Sequence, residues 1–188
     1  MKKYFLLSMC LFFGANIALA GEVAATDVSK KDDEAKRQEI ITQAEINRLV
    51  TYGGEYAYKL IKGTGGLSPF GVLVLDDGKV IVLEATTEQK KSFTFKDEIL
   101  ELRRLIKESV VKGNVSCAAL FVSALVPVEG SKDQPGIAME IEHKLGLSAL
   151  RFVPYEYTIG DGELKLLKPV TKEKPVVFFA KAKAKAKK

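Results

Sequence analysis

The chain has 188 residues, with 29 Lys and Arg against 24 Asp and Glu, one His and two Cys. That length suffices for one domain with its own core. A single His and so few Cys argue against a zinc centre, which draws three or four such ligands.

The first twenty residues read as a targeting segment. Lys2 and Lys3 open it, Tyr4 to Ile17 is apolar, and Ala18-Leu19-Ala20 is a small-x-small cleavage signal before Gly21. An uncleaved anchor and a lipoprotein acylated at Cys10 are the weaker alternatives, because the apolar run is short and a cleavage signal is present. The expected product is exported, periplasmic or secreted. It keeps Cys117 as its one cysteine, so it has no internal disulfide. With two lysines in that segment and five in the last eight residues, the body Gly21–Ala180 holds 22 basic and 24 acidic residues. The basic character lies at the two ends, so neither charge nor destination favours a nucleic-acid partner.

Residues 21–41 form a polar, charge-rich leader, flexible or loosely helical. A single domain is expected over 42–180. Thr42 and Glu45 have capping-box spacing, with Ile41 and Ile46 placed as a staple. Ile46, Leu49, Val50, Gly53, Ala57, Leu60 and Ile61 follow helical spacing, and Gly63 stands where a left-handed cap belongs. Gly53 on the apolar face suits close approach to a sheet, or else a break at Gly53-Gly54. Gly63, Gly65 and Gly66 follow a helix and precede a strand, the reverse of a phosphate-binding loop. Phe70–Leu75 and Lys79–Glu84 form a hairpin around Asp77-Gly78.

A polar connection, "ATTEQKKSFTF", leads to a second helix capped by Thr94 and Asp97. Its apolar face is Ile99, Leu102, Ile106 and Val110, and its outer face carries Glu101, Arg103, Arg104, Lys107 and Glu108. Gly113-Asn114 ends it. Three strands follow. Residues 115–128 are nearly all apolar, as a covered central strand would be, with Cys117 a buried thiol. Gly136–His143 alternates, with Ile137, Met139, Ile141 and His143 on one face and Glu140 and Glu142 on the other. Leu150–Ile159 is rich in Phe, Val and Tyr. "ELKLLKPV" can add a short edge strand. "KPVVFFA" must dock on something, because four exposed apolar residues in a row would be an aggregation hazard.

The fold class that results is α+β: a two-layer domain with an antiparallel five-stranded sheet and two main helices in the order α-β-β-α-β-β-β. One sheet face is expected to pack on helices. The other is expected to be partly solvated, with Glu140 and Glu142 marking it. The order from Thr42 to Ile159, with "FGVLVLDDGKVIVLE" as first hairpin, resembles the roadblock/longin (profilin-like) architecture. "SPFGVLVLDDGKV", "GIAMEIEH" and "FVPYEYT" are also similar to stretches of small exported bacterial proteins of uncharacterised function. Roadblock and longin domains are intracellular dimerising scaffolds, so the resemblance implies a fold and no site residues.

Three functions are weighed. The first is a non-catalytic module that binds a protein partner or a second copy of itself. The second is a ligand-binding or sensor domain with a pocket between sheet and helices lined by Phe70, Phe152, Tyr155 and Tyr157. The third is a hydrolase-like enzyme using Glu140, Glu142 or His143, although Arg151 on the neighbouring strand is placed to neutralise the two glutamates as a cross-strand ion pair. No cofactor is expected. The tail 181–188, with Lys181, Lys183, Lys185, Lys187 and Lys188, is read as disordered and as a weak tether to an anionic envelope surface. Deleting it should leave the body folded and lower co-sedimentation with anionic vesicles at low salt. Binding of the intact chain should fade as the Debye length falls from about 10 Å at 0.1 M to 3 Å at 1 M. Equal sedimentation of intact and truncated protein at low salt would rule the tether out.

Overall fold

A computed structural model of the chain describes residues 22–126, 133–158 and 163–180. Residues 1–20, read as a targeting segment, the Gly160-Asp161-Gly162 stretch and the tail 181–188 lie outside the described residues. In chain order the elements are α1 (Glu22–Thr64), β1 (Phe70–Leu75), β2 (Val80–Leu83), α2 (Thr87–Ser92), α3 (Phe95–Lys112), β3 (Val115–Val126), β4 (Gln134–His143), β5 (Ser148–Thr158), β6 (Glu163–Leu166) and β7 (Val170–Glu173). The residues up to Arg37 form a unit of their own, helical from Glu22, and the domain runs from Gln38 onward.

Thr42 is therefore no helix start. It lies inside α1 and is buried. The reason is local: from Glu22 to Thr42 there is no Gly or Pro to stop a helix, and Ala, Glu, Lys, Arg and Gln favour one. The leader has no apolar stripe, so hydrophobic periodicity did not reveal it. At its other end α1 runs one residue past Gly63. Gly65 takes the left-handed conformation (φ 74°), its N–H donating to the Ile61 carbonyl at 2.8 Å.

Seven strands, not five, form one antiparallel sheet in the order β2-β1-β3-β4-β5-β6, with β7 also on β5. β6 pairs with the far half of β5 (Tyr155 opposite Leu166) and β7 with its near half (Arg151 opposite Thr171). The two are one edge lane interrupted at Leu167–Pro169, so the sheet is six lanes wide. "ELKLLKPV" supplies β6 as expected. β7 was missed because Val170–Glu173 carries one apolar residue in four and all four are exposed. The connection at 86–93 also holds α2, whose start is a capping box between Thr86 and Gln89.

The layering differs from the expected two. Ile46, Leu49, Ala57 and Ile61 of α1 pack on Phe70, Val72, Val74, Cys117, Ala119, Phe121, Ile137, Met139 and Ile141. Leu102 and Ile106 of α3 pack on the opposite face, with Leu73, Ala118, Leu120 and Phe178. Both faces are covered, which is why β3 is buried on both sides from Val115 to Phe121. The expected caps of α3 are present: Thr94 and Asp97 cap each other's backbone, and Gly113 (φ 88°) ends the helix. The hairpin also forms. Asp76-Asp77-Gly78 makes a three-residue loop with Gly78 at φ 80°, closed by the Leu75 N–H on the Lys79 carbonyl at 2.8 Å. Beside it, Tyr56 of α1 donates to Glu84 at 2.5 Å. That bond pushes the phenol up to about 12 and holds the carboxyl below its usual range.

Gly53 does not break α1; it lets the helix approach the sheet. A Cβ there would overlap the Phe121 ring, which stacks on Phe70 at 4.7 Å and 10° and so has little room to retreat. Next to it, Gly54 faces open space. Gly53→Val should lose more than about 2 kcal/mol of stability by overpacking. Gly54→Ala should gain up to about 1 kcal/mol from helix propensity. Denaturant midpoints check both, and equal shifts for the two variants would contradict the close approach.

Candidate functional site

The end of β4 carries two consecutive ionisable residues on opposite faces. Glu142 has no solvent exposure. Its Oε1 accepts from Lys174 Nζ at 2.8 Å and from the Val177 N–H at 2.8 Å. Its Oε2 accepts from the N–H groups of Phe178 at 2.6 Å and Phe179 at 3.2 Å. The segment Lys174–Ala180 is thus a strap wrapped around one carboxylate, with Phe178 in the α3-side core and Lys174 over its ring at 5.1 Å. The expected docking of "KPVVFFA" is met in this way. Four donors on one carboxylate offset its loss of hydration.

This corrects the view of Glu140 and Glu142 as a solvated pair held by Arg151. β5 pairs with β4 so that Arg151 lies opposite Met139, on the α1 face, while Leu150 lies opposite Glu140. Arg151 therefore faces away from both glutamates. Their cations are Arg103 of α3, on Glu140, and Lys174, 3.6 Å from Glu140 and 2.8 Å from Glu142. Arg103 belongs to the face read as solvated. Arg104 beside it behaves as expected, paired with Glu101 at 2.7 Å and with Glu108.

His143 is 1% exposed. Its Nδ1 accepts the Leu145 N–H at 3.1 Å, so its proton sits on Nε2 and is given to Glu45 Oε2 of α1 at 2.6 Å. Cys117 is its partner across β3 and β4. Burial first, and then the charge of Glu45, push that thiol up to about 12. Cys117, His143 and Glu45 thus share a region without forming a nucleophile–base pair: both ring nitrogens are engaged and the thiol is protonated. Sequence reasoning took Glu45 only as a cap. Its position one residue before Ile46 and four before Leu49 was the available signal for a polar group meeting the sheet. Among the described residues no three His, Cys, Asp or Glu side chains group as metal ligands would, and no helix is long and apolar enough to cross a membrane.

The four aromatics do not share a pocket. Phe70 is buried between Phe121 and Tyr56, and Tyr155 and Tyr157 join the same α1-side core. Phe152, opposite Ala138, lies on the other face, because β5 alternates and an even-numbered residue cannot join odd-numbered Tyr155 and Tyr157. There is nonetheless open space between sheet and helix. One cleft of about 570 Å³ is bounded by Gln43 and Ile46 of α1, Ile141, the turn Gly146–Ser148, and Thr171 and Glu173 of β7. A second, of about 360 Å³, is bounded by Val50, Thr51 and Gly54 of α1 and by Ile137, Met139, Val153, Leu166, Leu167 and Pro169. Arg151 lines both. Its Nε is buried without a hydrogen-bond partner, and it has no ion-pair partner among the described residues. Both volumes fall within the ~300–1,000 Å³ typical of small-ligand sites.

Compared with known protein families, curated proteins and solved structures, the chain matches none.

The strap makes a sharp test. Glu142→Gln replaces two acceptor oxygens by one and turns an amide donor toward backbone donors. It should cost about 2 kcal/mol or more. The amides of Val177, Phe178 and Phe179 should also lose hydrogen-exchange protection before the rest of the sheet does. Wild-type protection at those three amides in the variant would show that the carboxylate does not hold the strap.

Proposed function

We propose that this is an exported, non-catalytic binding domain whose site is the groove between α1 and the β4–β5–β7 side of the sheet. The observation that carries the reading is the pair of adjoining clefts joined at Arg151, a cation with no counter-ion among the described residues. The second cleft has a wall mainly of Val50, Ile137, Met139, Val153, Leu166 and Leu167. Such a wall favours an apolar occupant, because removing apolar area from water contributes roughly 25 cal/mol per Å².

The non-catalytic part rests on the fate of the candidate acid–base groups. Glu140 is paired with Arg103 and Lys174, Glu142 is enclosed by the strap, and His143 has neither ring nitrogen free. Export rests on the first twenty residues of the sequence. A groove that takes an apolar side chain of another protein is the neighbouring reading, and it shares the same surface.

Titrating the purified protein with a small apolar probe such as 1-decanol should shift amide resonances at Val50–Gly54, Ile137–Met139 and Arg151–Val153. Val153→Lys, which places a charge in the second cleft, should weaken that binding at least tenfold. Shifts confined to the β2 edge or the α3 face would refute the groove.

A further inference from the structure

We infer that the groove takes an aliphatic monocarboxylate, its chain in the apolar cleft and its carboxylate on the Arg151 guanidinium. This rests on the groove being the binding site. The charge argument comes first. Arg151 stands where the two clefts join, and its neighbours across the sheet, Met139 and Thr171, carry no charge. Lys174, which also lines the larger cleft, is already committed to Glu142 and Glu140. Glu173 lines that cleft too, yet it is exposed and forms no ion pair with Arg151. A guanidinium with an enclosed, unpartnered Nε lacks an acceptor, and a carboxylate fits its planar fork better than any neutral group.

The second step concerns the rest of the ligand. A peptide ending in an apolar residue would also offer a carboxylate, but its amides need partners. β5 has little to give, because β4 occupies one of its edges and β6 and β7 occupy the other on either side of the break at Leu167–Pro169, where the Pro154 carbonyl already accepts the Leu167 N–H at 2.8 Å. In the apolar cleft the side-chain donors and acceptors are those of Thr51 and Arg151. Burying unpaired amides there is unfavourable. A hydrocarbon chain brings no such groups. The ligand is thus an alkyl chain with a single anionic end, a free carboxylate rather than an ester.

The test uses the full mature protein and three probes: decanoate, 1-decanol and the tripeptide acetyl-Val-Phe-Leu with a free C-terminus. Calorimetry or amide shifts should show decanoate binding at least tenfold tighter than decanol and than the peptide. Arg151→Met should abolish the preference for decanoate over decanol. Glu173→Gln removes a negative charge from the rim of the larger cleft, where it repels a carboxylate, and should tighten decanoate about two- to fivefold relative to decanol. It also keeps the proposal testable if Arg151→Met folds poorly. Equal binding of decanoate and decanol by the wild type would overturn the carboxylate while leaving the groove reading intact. Peptide binding as tight as decanoate would overturn the aliphatic class. No effect of Glu173→Gln on decanoate, or an undiminished preference in a folded Arg151→Met, would overturn the role of Arg151. Absence of any shift at the groove with all three probes would overturn both readings together.

Discussion

The architecture depends on two consecutive side chains at the end of β4. Glu142 and His143 face opposite ways because a strand alternates, and each ties a covering layer to the same lane of the sheet. His143 holds α1 through Glu45, and Glu142 holds the strap through Lys174 and three backbone N–H groups. Neither contact resembles a surface ion pair, which contributes little. Both side chains on β4 are buried to within 1% of fully enclosed, so losing one partner would leave a polar group without water or protein to satisfy it. Deleting one partner therefore costs more than the contact's net contribution to folding. The same enclosure bears on the residue types that looked like a catalytic set. A general base needs a lone pair open to substrate, and here the lone pairs are already in use.

Much of the fold was legible where the signal is local. The Asp77-Gly78 turn, the caps at Thr94 and Gly113, and the unbroken apolar run of β3 each follow from residues within a few positions of one another. What failed was register and long-range cover. Nothing in "KLGLS" reveals whether Arg151 will stand opposite an odd or an even residue of β4, and a one-residue difference moves it to the other face. The misplacement of Arg151 is an error of this kind, whereas the grouping of Phe152 with Tyr155 and Tyr157 overlooked alternation within β5 itself, which separates them in any register. The burial of Glu142 was hidden for a different reason. Alternation marks a strand's polar face as wet unless a distant segment covers it. Here the cover lies more than thirty residues away, in "KPVVFFA", whose need to dock was plain though its target was not. The proposed site is made of residues read individually as ordinary: a strand arginine, a helix valine and threonine, and an edge strand too polar to notice.

The place of the groove follows from widths. Six lanes at about 4.8 Å make a sheet about 24 Å across, and one helix is about 10 Å wide. No single helix can cover either face. On the α3 side the deficit is filled: α3 lies over β1, β2 and β3, and the strap closes over β4, drawn there by Glu142. On the α1 side the helix lies over β1, β3 and part of β4, with Gly53 bringing it down onto Phe121. The lanes beyond, β5 with β6 and β7, have no second element of the described chain above them. Close approach sharpens the asymmetry, since a helix seated deep on β3 leaves a steeper wall toward β5 than one standing off it. The cleft is thus a consequence of using one strap for two faces. Arg151 stands in that cleft because the register of β5 places it opposite Met139, on the face and in the lane that α1 covers only in part.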